Sequence, residues 1–242
     1  SLPSAHDQFA IRGVAVTTIN RASGIADMGG VDGWGTAPRP DPQEPPFKED
    51  WEKRAFAMAL LSMRLSGTNL DAFRHAMNRL DRAHYIDDGY YGRWLYGAEN
   101  LLTDSSIIAP GTVEARAVNI SGGQAEEPPA PEPHKPDYAP TAAGSIRQID
   151  TPAKFSVGQR VRAKTLQAPG HTRLQKYTQG HVGTVAIVEP AQVLPDTHAH
   201  FIAENAQWVY TVAFDSHELF GPDAETFTLN TDMYEDYLED AS

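Results

Sequence analysis

Residues 155–166 read FSVGQRVRAKTL, and this stretch decides the fold. Val161 and Ala163 alternate with Arg160, Arg162 and Lys164, the period of a strand with one face buried. VGQRV, residues 157–161, is a turn entering that strand. Downstream, HVGTVAIVEP (181–190), QWVYTVAFD (207–215) and TFTLN (226–230) repeat the pattern, each bounded by turn residues. Short strands at this spacing predict a β unit over 154–242, a small barrel or sandwich. Its end, MYEDYLEDAS (233–242), is acidic and carries Tyr234, Tyr237 and Leu238.

Upstream, GGQAEEPPAPEPHKPDYAPTAAG (122–144) repeats proline and acid. That composition favours extended chain, so 121–153 is a Pro-rich linker. Residues 24–120 are an extended arm followed by helices. WEKRAFAMALLSMRL (51–65) puts Trp51, Ala55, Met58, Leu61 and Leu65 at helical spacing. Phe56, Leu60 and Met63 add a second stripe, which predicts a helix buried on more than one side. Gly67 ends it, and Asn69 is placed to cap LDAFRHAMNRL (70–80). A third helix is expected from near Tyr90, and a fourth after Pro110 and Gly111. GIADMGGVDGWGTAPRPDPQEPPFKED (24–50) has no period, and reads as an arm anchored by Trp34 and Phe47. Residues 1–23 are an expected mobile N-terminal extension.

Within 242 residues, Lys+Arg number 20 and Asp+Glu 32, a net charge of −12. That balance argues against nucleic-acid binding, which needs a basic face. Zero cysteine excludes a disulfide scaffold, a thiol nucleophile and a thiolate metal site within this chain. No apolar run is long enough for a transmembrane helix. Walker, GxSxG, HExxH and dinucleotide-binding signatures are absent. His198 and His200 in LPDTHAH would share a face on a strand, with Asp196 as a third donor and His171 and His181 flanking. In a turn the same residues would cap loops. Arg74 follows Phe73 on an amphipathic helix, and Arg173 sits in PGHTRL. An inward guanidinium is costly unless it meets an anion, and a surface salt bridge is the plainer use of either. Tyr90 and Tyr91 beside Trp94 offer an apolar wall with a hydroxyl tip.

From Gly24 to Leu238 the chain resembles the nitrile hydratase β subunit family. GIADMGGVDGWG, FKEDWEKRAFAM, NLDAFRHAMNRL, HYIDDGYYGRWL, FSVGQRVRAK, PGHTRL, Tyr177-x-x-Gly180-x-x-Gly183-Thr-Val, LPDTHAH, VYTVAFDSHELFG and MYEDYLE follow in family order. The resemblance implies an α+β chain in two parts, the second a small SH3-like β-barrel. It implies a cytoplasmic αβ heteromer, doubled to α2β2, that adds water to a nitrile to give an amide. The metal, non-corrin Co(III) or low-spin Fe(III), would sit on a Cys-rich loop of the α subunit, with two cysteines oxidised to sulfenic and sulfinic forms. This chain would hold no metal itself. By the same resemblance, Arg74 and Arg173 donate to the oxidised sulfur oxygens and Tyr90 to substrate or an active-site water. Leu70, Phe73 and Trp94 would form pocket wall, with Ala59 and Met63 where relatives often carry bulkier groups. After PGHTRL the chain departs from the pattern, with Gln179 and His181 at two usually basic positions. The alternatives are a thiocyanate hydrolase-type subunit, whose β-like sequence is divided between two chains, and an assembly or activator protein, which resembles only the helical half.

Overall fold

The computed structural model describes residues 25–29, 39 and 41–242. Trp34 and the 1–23 extension lie outside these residues. Helix α1 (Asp50–Ser66) opens on a reciprocal capping box between Glu49 and Glu52. It stops at Gly67, whose φ of 67° is the left-handed value glycine reaches without strain, and the Gly67 N–H donates to the Met63 carbonyl. Its buried stripe is Ala55, Ala59, Ser62 and Ser66. The large apolar residues face out: Met58, Leu61 and Leu65 are each more than half exposed. The expectation of a helix buried through those residues is therefore corrected. Small side chains let α1 lie close against α3 (Gly89–Asp104), and the bulky ones are left for something outside the chain.

Helix α2 (Leu70–Asn78) starts where the sequence places it, the Asn69 side-chain oxygen accepting from Ala72 N–H at 2.9 Å. The Asn69 amide also donates to the His198 carbonyl at 2.9 Å, tying the helix start to the β unit. Asn69→Ala loses both bonds, and should cost about 1–2 kcal/mol in thermal or denaturant unfolding. A π-helical turn, Ala83–Asp87, leads into α3, a feature no local periodicity announces. Helix α4 (Thr112–Ile120) follows Gly111. Ala59, Ala72, Phe73, Ala76, Ala98 and Leu101 close the helical core, with Met63 and Trp94 packed against it. Phe47 of the arm stacks on Phe56 and Tyr91, at ring-centroid distances of 5.8 and 5.0 Å.

The second half is an antiparallel sheet of β1 (Arg160–Ala163), β2 (Val182–Gln192), β3 (Gln207–Asp215), β4 (Thr228–Tyr234) and β5 (Leu238–Asp240). Helical turns α5 (Pro195–His198) and α6 (Ser216–Phe220) flank β3. Strand order is β4-β3-β2-β1-β5. In register, Val161 faces Gly183, Val185 faces Val212 and Tyr210 faces Met233. β1 alternates exposed and buried as its sequence requires. Val161, Tyr210, Val212, Phe214, Met233 and Leu238 are essentially inaccessible and form this core.

The chain is thus α+β, but the sheet is open: among the described residues no hydrogen-bonded pairing joins β4 to β5. Only the turn Glu235–Tyr237 separates these two edges. From Tyr234 to Leu238 the chain reaches at most about 14 Å, so the sheet curls until its edges approach without bonding shut. Across 121–153 the chain has no helix or strand of its own and is laid down by contacts to both halves. His134 N–H donates to the Ser105 carbonyl (2.8 Å), Ile146 bridges Gln192, and Arg147 forms an ion pair with Glu204. Among the described residues no helix is long and apolar enough to cross a membrane.

Candidate functional site

Arg74 projects from the second turn of α2, and Arg173 from the loop between β1 and β2. These segments lie on different cores and are 99 residues apart, yet both arginines line one cavity of about 360 Å³. Asp27, Tyr85, His171 and Gln175 share its wall. Arg74 also lines a neighbouring cavity of about 510 Å³ with Leu70, Asp71, His198 and Tyr234. A larger cavity of about 690 Å³, lined by Leu166, Pro169, Asp196 and Ile202 among others, carries neither arginine.

The two guanidinium groups are differently held. Arg74 Nη1 donates to Asp71 Oδ1 at 3.0 Å, an i,i+3 pair on one helix face. The Asp71 side chain is 9% exposed and that of Arg74 38%, so the carboxylate is fixed inside while the cation reaches out. The Arg173 side chain is exposed and makes no ion pair with the described residues. Its backbone is fixed instead: Arg173 N–H donates to the Tyr237 hydroxyl at 3.1 Å. A guanidinium has five donors in a planar fork, so most of the donor capacity here is unspent.

The surroundings keep their own protons settled. Burial, with the two arginines adding repulsion, pushes His171 down to about 4, so its ring is neutral near pH 7. The His171 Nε2 atom is buried and finds no hydrogen-bond partner among the described residues. Burial pushes the Tyr234 phenol up to about 12, keeping its hydroxyl a donor. Asp27 is also raised by burial, although its carboxylate accepts from Lys176 N–H at 3.0 Å. That bond seats the described part of the arm on the Arg173 loop.

The other residues expected at the site are spread out. Tyr90 is 58% exposed and stacks on Trp94 and Tyr91, and it lines neither arginine cavity. Leu70 is 49% exposed and lines the second cavity. Phe73 and Ala59 are fully buried in the helical core, and Met63 and Trp94 pack against that core rather than against the arginines. His198, with Asp196, sits on a helical turn and His200 in the turn after it, not on a strand, so the two-residue spacing does not put His198 and His200 on one face. Among the described residues no three His, Asp or Glu side chains gather as metal ligands. Gln179 and His181 are used internally, Gln179 accepting from Leu166 N–H and His181 lying 3.4 Å from Glu218. Asp71, Tyr234 and Tyr237 were not picked out by sequence as members of the site. The i,i+3 spacing of Asp71 and Arg74 was the one local signal that pointed to any of them.

Residues 22–141 match the family described as nitrile hydratase beta subunit, N-terminal, and residues 144–240 match its C-terminal counterpart. A nitrile hydratase subunit beta of Pseudomonas putida is 37% identical over 221 residues, 90% of this chain and 100% of that one. A cobalt-containing nitrile hydratase subunit beta of Pseudonocardia thermophila is 32% identical, covering 90% and 96%. A thiocyanate hydrolase subunit alpha of Thiobacillus thioparus is 36% identical over 92 residues, 37% of this chain and 73% of that one. A solved apo-enzyme structure of thiocyanate hydrolase from the same organism aligns over 37% of this chain and 78% of that chain, at 34% identity with a TM-score of 0.35.

Proposed function

Because the chain belongs to the nitrile hydratase β-subunit family, we propose that it is the metal-free partner in a heteromer that hydrates nitriles to amides. Arg74 and Arg173 hold the oxidised cysteine ligands of a Co(III) or Fe(III) centre in the α subunit. One observation carries this reading: two guanidinium groups from separate cores share a cavity, with most of their donors unspent. With no cysteine, the chain is not built to carry that metal. Forked N–H donors suit anions, so these residues fit the oxidised sulfur oxygens around a metal rather than the metal itself. When bound in the α subunit, the metal supplies Lewis acidity toward the nitrile or activates the oxygen nucleophile. This chain's part is to fix the oxygens of that shell at hydrogen-bond distance and tune their charge.

Tyr90 lies apart from the arginines on an exposed aromatic patch with Tyr91 and Trp94. We assign its hydroxyl to the substrate or an active-site water, in a pocket that the α subunit completes. Tyr90→Phe should lower kcat/KM about 2–10-fold, the worth of one neutral hydrogen bond. Unchanged constants across short and aromatic nitriles would remove that role. The outward Met58, Leu61 and Leu65 fit an αβ interface, which we extend to α2β2. The curled sheet is assigned as an SH3-like barrel, and the complex to the cytoplasm.

The thiocyanate hydrolase relative supports a second reading, but it spans 37% of the chain where the nitrile hydratase relatives span 90%. Co-expression with its α subunit decides between them. The metallated complex should release amide from nitriles, and a complex that cleaves thiocyanate while leaving nitriles intact would overturn the assignment.

A further inference from the structure

Alternate residues of one short segment, Asp196, His198 and His200, hold the supports of both arginines. His198 Nδ1 lies 2.9 Å from Asp71 Oδ2. A carboxylate only accepts, so Nδ1 carries the proton and donates. The other oxygen of Asp71 accepts from Arg74. The side chains of Asp71 and His198 are 9% and 10% exposed, so neither can swing into water. Asp196 accepts from the Tyr237 hydroxyl, and that hydroxyl accepts from the Arg173 N–H. His200 Nε2 accepts from the His171 N–H at 3.0 Å, two residues before Arg173. The loop passes so close that a Cβ on Gly170 would sit 2.1 Å from His200 Nε2, so any larger residue there must push the His200 ring off its bond.

We infer that residues 196–200 form a positioning bracket that sets the Arg74 guanidinium relative to the backbone from which Arg173 projects. Arg74 belongs to the helical core and Arg173 to a loop of the β unit. The Asp71 and Tyr237 supports are not bonded to each other, and this segment reaches both, beside the contacts of Asn78 and His75 on α2 with His171. The Asn69 amide bonded to the His198 carbonyl locks the same joint from the backbone side. LPDTHAH thus acts through hydrogen bonds to the site's framework, and Asp196, His198 and His200 are its positioning residues. The inference rests on the reading that the two arginines act together.

The test is a cycle in the assembled αβ complex, with His198→Leu and His198→Asn each made with Arg74 and with Arg74→Lys. Asn keeps a donor for Asp71, and Leu removes it. His198→Leu should lower kcat about 10-fold or more with KM within about twofold, since a misplacement near 1 Å can cost about 10²-fold. His198→Asn should recover most of the rate, and His198→Leu should add nothing to Arg74→Lys. Asp196→Leu and Asp196→Asn should behave likewise against Arg173→Lys. A wild-type kcat for His198→Leu, or equal further losses in the Arg74→Lys background, overturns the bracket.

If Arg74→Lys itself keeps the wild-type rate, the functional reading falls instead. The bracket is then decided by the Arg74 side-chain ¹⁵N–¹H resonances of the complex. They should be protected from exchange in the wild type and in His198→Asn, and lost in His198→Leu. Protection that survives His198→Leu overturns the bracket.

Discussion

Arg74→Lys in the assembled αβ complex lowers kcat by roughly 10²-fold and leaves KM within a few-fold. Lysine keeps the charge, so the loss isolates geometry. The guanidinium spends one N–H on Asp71 at 3.0 Å and still presents a planar pair to an oxyanion. An ammonium at the end of a flexible stem satisfies Asp71 or the anion, but not both in one plane. Under the proposed role, in which Arg74 meets the partner's ligand shell rather than the nitrile, KM should move little. A rate within twofold of wild type, in a complex with full metal content, would remove the forked role of Arg74 and overturn the functional reading. Arg74 sits on the helix surface with 38% of its side chain exposed, so loss of folding does not explain the outcome.

Arg147→Ala should destabilise the chain by about 3 kcal/mol, the low end of the cost of breaking a buried ion pair, because the Glu204 side chain left behind is 16% exposed. Arg147 Nε and Nη2 grip Glu204 at 2.9 and 2.6 Å, and the remaining donors reach the carbonyls of Ala142, Gly144 and Ile146. Glu204 also accepts from Thr141 N–H and Oγ1, so one carboxylate pins the end of the proline-rich segment. The arginine holds that carboxyl at about 2, well below its ordinary 4.5. A depressed carboxyl stabilises the fold fully above its unfolded value and loses that stabilisation as pH falls toward the folded one. Chemical denaturation should therefore show stability falling from about pH 4.5 towards pH 2. Glu204→Gln should be less stable at pH 7 and lack that part of the slope. A slope unchanged by Glu204→Gln would assign acid sensitivity elsewhere.

The strands around Val161 and Tyr210, the Asn69 cap and the Gly67 stop are written in neighbouring residues. Periods of 2 and 3.6, and caps that act over three or four positions, are local physics. Zero cysteine and a charge of −12 likewise belong to the sequence, as do the ordered motifs that carry the family resemblance. What α1 does with its apolar residues is not local. The sequence marks Met58, Leu61 and Leu65 as apolar, but only packing shows that the Ala–Ser stripe goes inside and they do not. The LPDTHAH histidines had two readings until the chain folded a helical turn through them.

The site itself was decided by tertiary structure. Asp71, which holds Arg74, meets His198, and Tyr237 joins Arg173 to Asp196, through contacts as much as 127 residues apart. A net count of charge hides two cations in one cavity, because it sums over the chain and cannot say which groups are neighbours. Local spacing shaped the helices and strands, and the packing of two cores brought Arg74 and Arg173 together.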